Sequence, residues 1–433
     1  MSLQAFLSQA EDGVYYMGHA SVLVQLSGKR YLFDYVQGNK PYGDVWVFFP
    51  ELVQGLDPQV LDGVFVSHCH QDHLDLPMLQ QLKGLCPLYI LDGRPEFNAL
   101  LAAHGLTPTL IPPHTRHVIA PGVEVYGVLH ETNGVDASTV IASPHFSVYH
   151  GNDNYARPET LAVFKQIYGD IDVGCIPYAY INWYPFLLDN ITAQERESEA
   201  QRLIHHYYEL ALAQADAMGA KVVIPFGANL VYHDDAYSAM NLAVKTPLEF
   251  EAYVRTTRGA AQGRRCQALF GGDVVLRGAD GVPAVHAQTF DRDGYREQMQ
   301  AHLRQVAAGT AAHAATAVDI GIDIDTELPR LAKRVAQLEA LSSAHDIRVE
   351  GRSAQDLKLS IDLQRRTVTQ HASWSDAPAG RPYHLFHVED ALLAQWVRSE
   401  IRFEEIIGAR KFTLSRVPNV YNPDVLRMVS TSL

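Results

Sequence analysis

Residues 61–75, LDGVFVSHCHQDHLD, constrain the chain more than any other stretch, because an apolar run of strand length breaks there into a cluster of histidines and aspartates. In extended backbone, side chains two positions apart share a face, so His68 and His70 can grip one cation together while Cys69 points away. If a turn leads from there into the helical run LPMLQQLKGL, Asp72 and His73 are placed to serve a second metal beside the first. Imidazole mixed with carboxylate suits zinc, iron or manganese. A polar loop with surface histidines is the plain alternative. Four ligand-type residues in the pattern HxHxDH at a strand end favour a dinuclear metal site instead.

Composition narrows the partners. With 35 Lys plus Arg against 49 Asp plus Glu, the formal charge is −14, which repels phosphate backbones and anionic lipid unless basic residues cluster, and none do. Neither nucleic acid nor membrane is expected, and a nuclease reading is disfavoured. A small-molecule substrate fits better. Apolar residues at 47% and charged residues at 19% are those of a soluble globular enzyme. The four cysteines, at 69, 86, 175 and 266, form no CxxC pair and are too sparse for a disulfide framework, so a reducing cytoplasm is expected. The N-terminal residues carry acids where a signal peptide has bases.

At 433 residues the chain is long for one core, and a main domain with a smaller companion is expected. The first half alternates strands and helices: VYYMG, ASVLVQL, YLFDYV, VWVFF and DGVFVSH, then the helix LPMLQQLKGL, the strand LYILDG and the helix EFNALLAAHG. The strands VEVYGVLH, STVIAS, FSVYHG and KVVIPF follow, with a long helix over 195–218 before the last. An Ala-rich stretch near 306–317 separates this from a tail of helices and alternating strands. The expected division is a catalytic domain over 1–285, a helical, Ala-rich linker over 286–317 and a small α+β domain over 318–433.

The HxHxDH motif resembles that of the metallo-β-lactamase superfamily, which implies an α/β fold: an αββα sandwich of two sheets flanked by helices. The segment YMGHASVLVQLSGKRYLFDY, with His19 and Asp34, is similar to the N-terminal hairpin of its lactonase-like branches, including the ascorbate-6-phosphate lactonases. There Asp34 matches the residue that supports the metal loop, and His19 is either a supporting or a purely architectural histidine. The resemblance implies further ligands at later strand ends. They are His130 or its neighbour Glu131, between which pleat register decides; Asp153, as the carboxylate bridging two cations; and His233, with Asp234 and Asp235 as competitors. The family's usual Gly-Asp is here Gly151-Asn152-Asp153. The segments DASTVIASPHFSVYHGNDNY, CIPYAYINWYPF and IPFGANLVYH resemble the CMP-N-acetylneuraminate hydroxylase branch, so the likeness covers most of residues 14–275. The C-terminal run FEEIIGARKFTLSRVPNVYNPDV is similar to a small sterol-carrier-like domain. That hydroxylase carries a Rieske cluster, which needs paired cysteines and histidines that this chain lacks.

Two reactions follow from the resemblance. One is a non-haem diiron, O2-dependent hydroxylation of a small metabolite, with electrons from an external donor or from the substrate. The other is zinc-dependent hydrolysis of an ester, lactone or amide by metal-activated water. A metal-binding scaffold without turnover is a minor third. Two metal ions are implied, iron favoured over zinc or manganese, with Asp72 and Asp153 as catalytic carboxylates. Tyr178, Tyr180, Asn182, Trp183 and Tyr184 either wall the substrate pocket or pack the interior. His150 is placed to hydrogen-bond a ligand carboxylate. The tail is expected to cover the site's mouth, hold an apolar ligand or make a homodimer contact.

Overall fold

The computed structural model describes the chain except residues 39–40, 43–44, 132–133, 234–237, 259–264, 288–289, 312–322, 339, 342–343, 353–356, 421, 423–424, 426–427 and 429–433. Asp234 and Asp235, the competitors of His233, and the second half of the Ala-rich stretch, 312–317, therefore lie outside the described residues.

Two large sheets form the first unit. In one, the strands Gly13–Gly18, Ser21–Leu26 and Lys29–Phe33 make an antiparallel meander, and Lys29–Phe33 continues in parallel into Gly63–Phe65, Leu88–Leu91 and Thr109–Ile111. The other repeats the plan. Val123–Leu129, Ala137–Ala142 and Ser147–His150 run antiparallel, and Ser147–His150 leads in parallel into Val173–Pro177 and Val222–Phe226.

The inner faces bury one shared core, in which Val14, Val22 and Val24 of the first sheet meet Val125, Ile141, Val173 and Ile224 of the second. Their approach is close enough that a Cβ on Gly127 would collide with Leu91. Helices cover both outer faces: Leu76–Leu82 and Pro95–Ala103 bury Met78, Leu79, Phe97 and Leu101 on one side. On the other, Pro158–Tyr168 and Ala193–Met218 bury Phe164, Ile204 and Leu212. This is an αββα sandwich. The long helix starts on a reciprocal cap between Thr192 and Glu195 and stops at Gly219, whose φ of 63° suits a residue without Cβ.

The tail is a five-stranded sheet in the order Thr367–His371, Lys358–Asp362, Asp346–Gly351, Tyr383–Val388, Phe412–Val417. The helices Ile324–Ala336, Asp390–Val397 and Phe403–Ala409 pack with it, and Leu393, Trp396 and Val397 are core residues. Its edge strand docks on the first unit, where the backbone N–H of Leu414 donates to Leu187 O at 2.8 Å and that of Asp189 to Leu414 O at 3.1 Å. One apolar cluster runs through the junction, joining Trp46, Trp183 and Leu188 to Phe386, Trp396 and Leu414. The helix Tyr295–Ala311, inside the expected linker, leans on the first unit through Tyr295 against Phe49 and Phe270. Among the described residues no helix is long and apolar enough to cross a membrane.

Candidate metal centre

The site is built where the parallel strands of both sheets end. Asp34 closes Lys29–Phe33 at φ 43°, a left-handed conformation that non-glycine residues seldom adopt. It is fully buried. Its carboxylate accepts from the Ser67 backbone N–H at 2.7 Å, from the Ser67 hydroxyl, and from His73 Nδ1 at 2.9 Å. Burial alone would raise the Asp34 pKa, but the hydrogen bond and charge of His73 outweigh it and bring the net value below the usual range. The loop is fastened at its far end by Asp75, which caps Leu76–Leu82 by accepting from Met78 N at 2.9 Å. Arg94 ties it to the second sheet, donating to Ser67 O and, at 3.1 Å, to Val135 O.

Two donor groups result. Nitrogen and oxygen atoms of His68, His70 and Asp153 lie within 4.8 Å of one another, and so do those of His19, Asp72 and His73. Asp153 Oδ2 is 3.9 Å from His68 Nε2 and 3.5 Å from His73 Nε2, within reach of both groups. Asp72 Oδ2 stands 3.4 Å from His19 Nε2 and 3.6 Å from His73 Nε2. Both ring nitrogens of His19, and Nε2 of His73, are buried without a hydrogen-bond partner. A buried lone pair left unmatched is costly, and a cation between these nitrogens and the two aspartates would satisfy it. The donor set therefore fits two metal ions.

Electrostatics agree with that fit. Burial, then the neighbouring His73 and His70, hold the His68 pKa well below the ordinary value, leaving a neutral ring able to coordinate. Burial works against charge on His73, but Asp153 and Asp72 outweigh it and raise its pKa well above the usual. The pocket thus carries surplus negative charge of the kind a cation neutralises.

Several expected site residues lie elsewhere. Glu131 is turned outward, accepting from Arg157 N at 3.2 Å and from the Thr160 hydroxyl, and so serves the first turn of Pro158–Tyr168. His130 belongs to neither donor group. Asp136 stands there instead: the backbone N–H of His130 donates to Asp136 O, and Asp136 Oδ1 is 3.7 Å from His68 Nε2. His233 is also in neither group; it follows Leu230–Tyr232, which pairs with Trp46–Phe48, and it adds to the lowering of the His302 pKa that burial mainly causes. Gly227, just past Val222–Phe226, lies close enough that an added Cβ would stand 3.7 Å from Asp153 Oδ1, and glycine offers no ligand. His150 bonds Ala20 O at 3.0 Å and stacks on Phe33, with no hydrogen bond to a ligand carboxylate.

The aromatic segment is packing. Tyr178 is fully buried, donating to Lys245 O at 2.6 Å, and Tyr180 rests on Tyr207. Trp183 meets Phe412 of the tail, Tyr184 lies under Arg416, and Asn182 is exposed. The strand that docks the tail packs along this segment, and none of the segment's residues belongs to either donor group. From the tail, Glu404 reaches the site, with Oε1 3.3 Å from His70 Nε2. The local sequence carries no sign of that contact.

Residues 13–178 match the β-lactamase superfamily domain. Over that region the chain is similar to the metallo-β-lactamase superfamily, and it presents His/Asp groups able to bind metal. A Mycolicibacterium smegmatis protein named as a Rieske 2Fe-2S iron-sulfur protein is 28% identical over 224 residues, 48% of this chain and 42% of the relative. A Mycobacterium tuberculosis protein of the same designation is 28% identical over 223 residues, with the same coverage. The match thus spans less than half the length of either relative. Among solved structures, a metallo hydrolase of Ignicoccus hospitalis is 18% identical with a TM-score of 0.43, covering 61% of this chain and 97% of that one. A diiron β-hydroxylase of Streptomyces venezuelae is 16% identical with a TM-score of 0.41, covering 61% and 54%.

Proposed function

We propose that the protein is a diiron enzyme that hydroxylates a small metabolite with dioxygen. The observation that carries this reading is the weight of carboxylate in the donor set. Asp72 and Asp153 stand among His19, His68, His70 and His73, with Asp136 Oδ1 a further 3.7 Å from His68 Nε2, and imidazole mixed with carboxylate is a donor set that iron accepts as well as zinc or manganese. Iron bound there would supply one-electron chemistry with dioxygen. Asp153, which reaches both groups, would hold the two ions at a fixed spacing, and Asp34 would orient His73. Asp72, beside His19 and His73, whose charge and hydrogen bonding keep it ionised despite burial, would hold one ion between them. The mycobacterial relatives, named for an electron-transferring cluster, support a redox role, with an external electron donor as partner.

A zinc hydrolase of an ester, lactone or amide is the second reading, and one observation favours it. None of the four cysteines has the histidine spacing of a Rieske motif, and hydrolysis needs no electron supply. Metal analysis of protein expressed with iron and zinc both supplied, followed by oxygen uptake on adding reductant, separates the two. We expect close to two iron ions per chain and oxygen consumption. Zinc occupancy with ester cleavage and no oxygen uptake would establish hydrolysis instead, and a folded protein that binds no metal would overturn both.

A further inference from the structure

We infer that Glu404, on the tail helix Phe403–Ala409, is a positioning residue for the metal centre of the other unit. Its Oε1 stands 3.3 Å from Nε2 of His70, which favours the ring proton on that nitrogen and leaves Nδ1 as the lone pair facing the cation. The inference rests on the metal-binding reading of the site.

The three imidazoles of the HxHxDH motif are each held through the nitrogen that does not face the donor group. Nδ1 of His68 lies 3.0 Å from the Ser67 hydroxyl, and Nδ1 of His73 lies 2.9 Å from Asp34. Both partners belong to the first unit. In His70 the roles of the nitrogens are reversed: Nδ1 lies 2.6 Å from His68 Nε2, on the donor side, and Nε2 lies 3.3 Å from Glu404 Oε1. A neutral imidazole carries one proton, and a carboxylate at Nε2 keeps it there, which makes Nδ1 the coordinating atom.

Glu404 is held for this task. Its side chain is 8% exposed, and Arg402 Nη2 stands 2.8 Å from its other oxygen. Arg402 also stands beside the Cys69 thiol, so the tail meets the metal loop at Cys69 as well as at His70. A second grip lies beside it. A Cβ on Gly408 would collide with the Tyr42 ring, and that tyrosine's hydroxyl accepts from Gln71 N at 3.2 Å and lies 3.5 Å from Asp72 Oδ1. Glu405, the next residue, accepts from Arg402 N at 3.2 Å and has no part in the site.

The test is chelator-competition titration of the full chain with Co2+, read also by its visible spectrum. Wild type should bind two ions. Glu404→Ala should lose about 10- to 100-fold in affinity at one of the two positions, with a changed cobalt spectrum. Glu404→Gln, whose amide oxygen still accepts, should lose less and would report even if the alanine variant folds poorly. Glu405→Ala, which removes a cap on the same helix, should leave both affinities unchanged. Wild-type affinities and spectrum in Glu404→Ala and Glu404→Gln would overturn the inference while leaving the metal reading intact. A wild-type chain that takes up no cobalt would overturn both.

Discussion

At the scale of single residues, strand pairing decides which side chains face the donor groups. Ala137 pairs with Leu129, so Asp136 falls opposite His130 and places its carboxylate near His68, while the following residue, Glu131, turns to the helix beyond. Asp136→Asn should therefore lower metal content at the His68 position. Glu131→Gln should leave metal content unchanged and weaken only the start of Pro158–Tyr168, by about 1 kcal/mol; metal analysis beside thermal melting reads both. His68, His70, Asp72 and His73 were legible in the sequence because neighbours along a strand end are neighbours in space. Asp136 was hidden because its place depends on register across a hairpin. Glu404 was hidden because it depends on docking between units hundreds of residues apart in the chain.

At the scale of elements, periodicity revealed what it could. The long helix and the early strands carry clean apolar patterns, and their expected positions agree with Ala193–Met218, Gly13–Gly18 and Ser21–Leu26. The tail strands Asp346–Gly351 and Tyr383–Val388 carry a weaker pattern. They bury Asp346, Arg348 and His384, and polar residues inside a sheet break the alternation by which strands are recognised. Those groups are tolerated because they are paired: Arg381 Nη2 lies 2.8 Å from Asp346, and Arg348 sits over the Tyr383 ring at 4.0 Å. Within the aromatic segment, Trp183 packs against Phe412 and Tyr184 lies under Arg416 of the strand Phe412–Val417. Trp183→Ala should cost about 3–5 kcal/mol of stability in denaturant titration and expose the tail to proteolysis; a loss under 1 kcal/mol would mean that this contact bears little of the docking.

At the scale of the whole molecule, the tail sheet makes stability depend on pH. His345 and His384 are buried with ring nitrogens 2.7 Å apart. Burial, then His345 and Arg416, push the His384 pKa down to about 3, and burial lowers that of His345 as well. Both rings are neutral when folded, whereas the unfolded chain takes up protons below about pH 6.5. Their contribution is therefore complete above that pH and is lost as pH falls toward 3, at up to about 1.4 kcal/mol per pH unit for each proton. Melting temperature should drop between pH 7 and pH 5, and His384→Asn should flatten that slope.

The apolar cluster that passes from Trp46 and Trp183 into Trp396 and Leu414 has no seam. Cutting the polypeptide between its two halves would leave a raw greasy face on each fragment, so neither piece is expected to survive alone in water, and a truncated catalytic half would aggregate before its chemistry could be assayed.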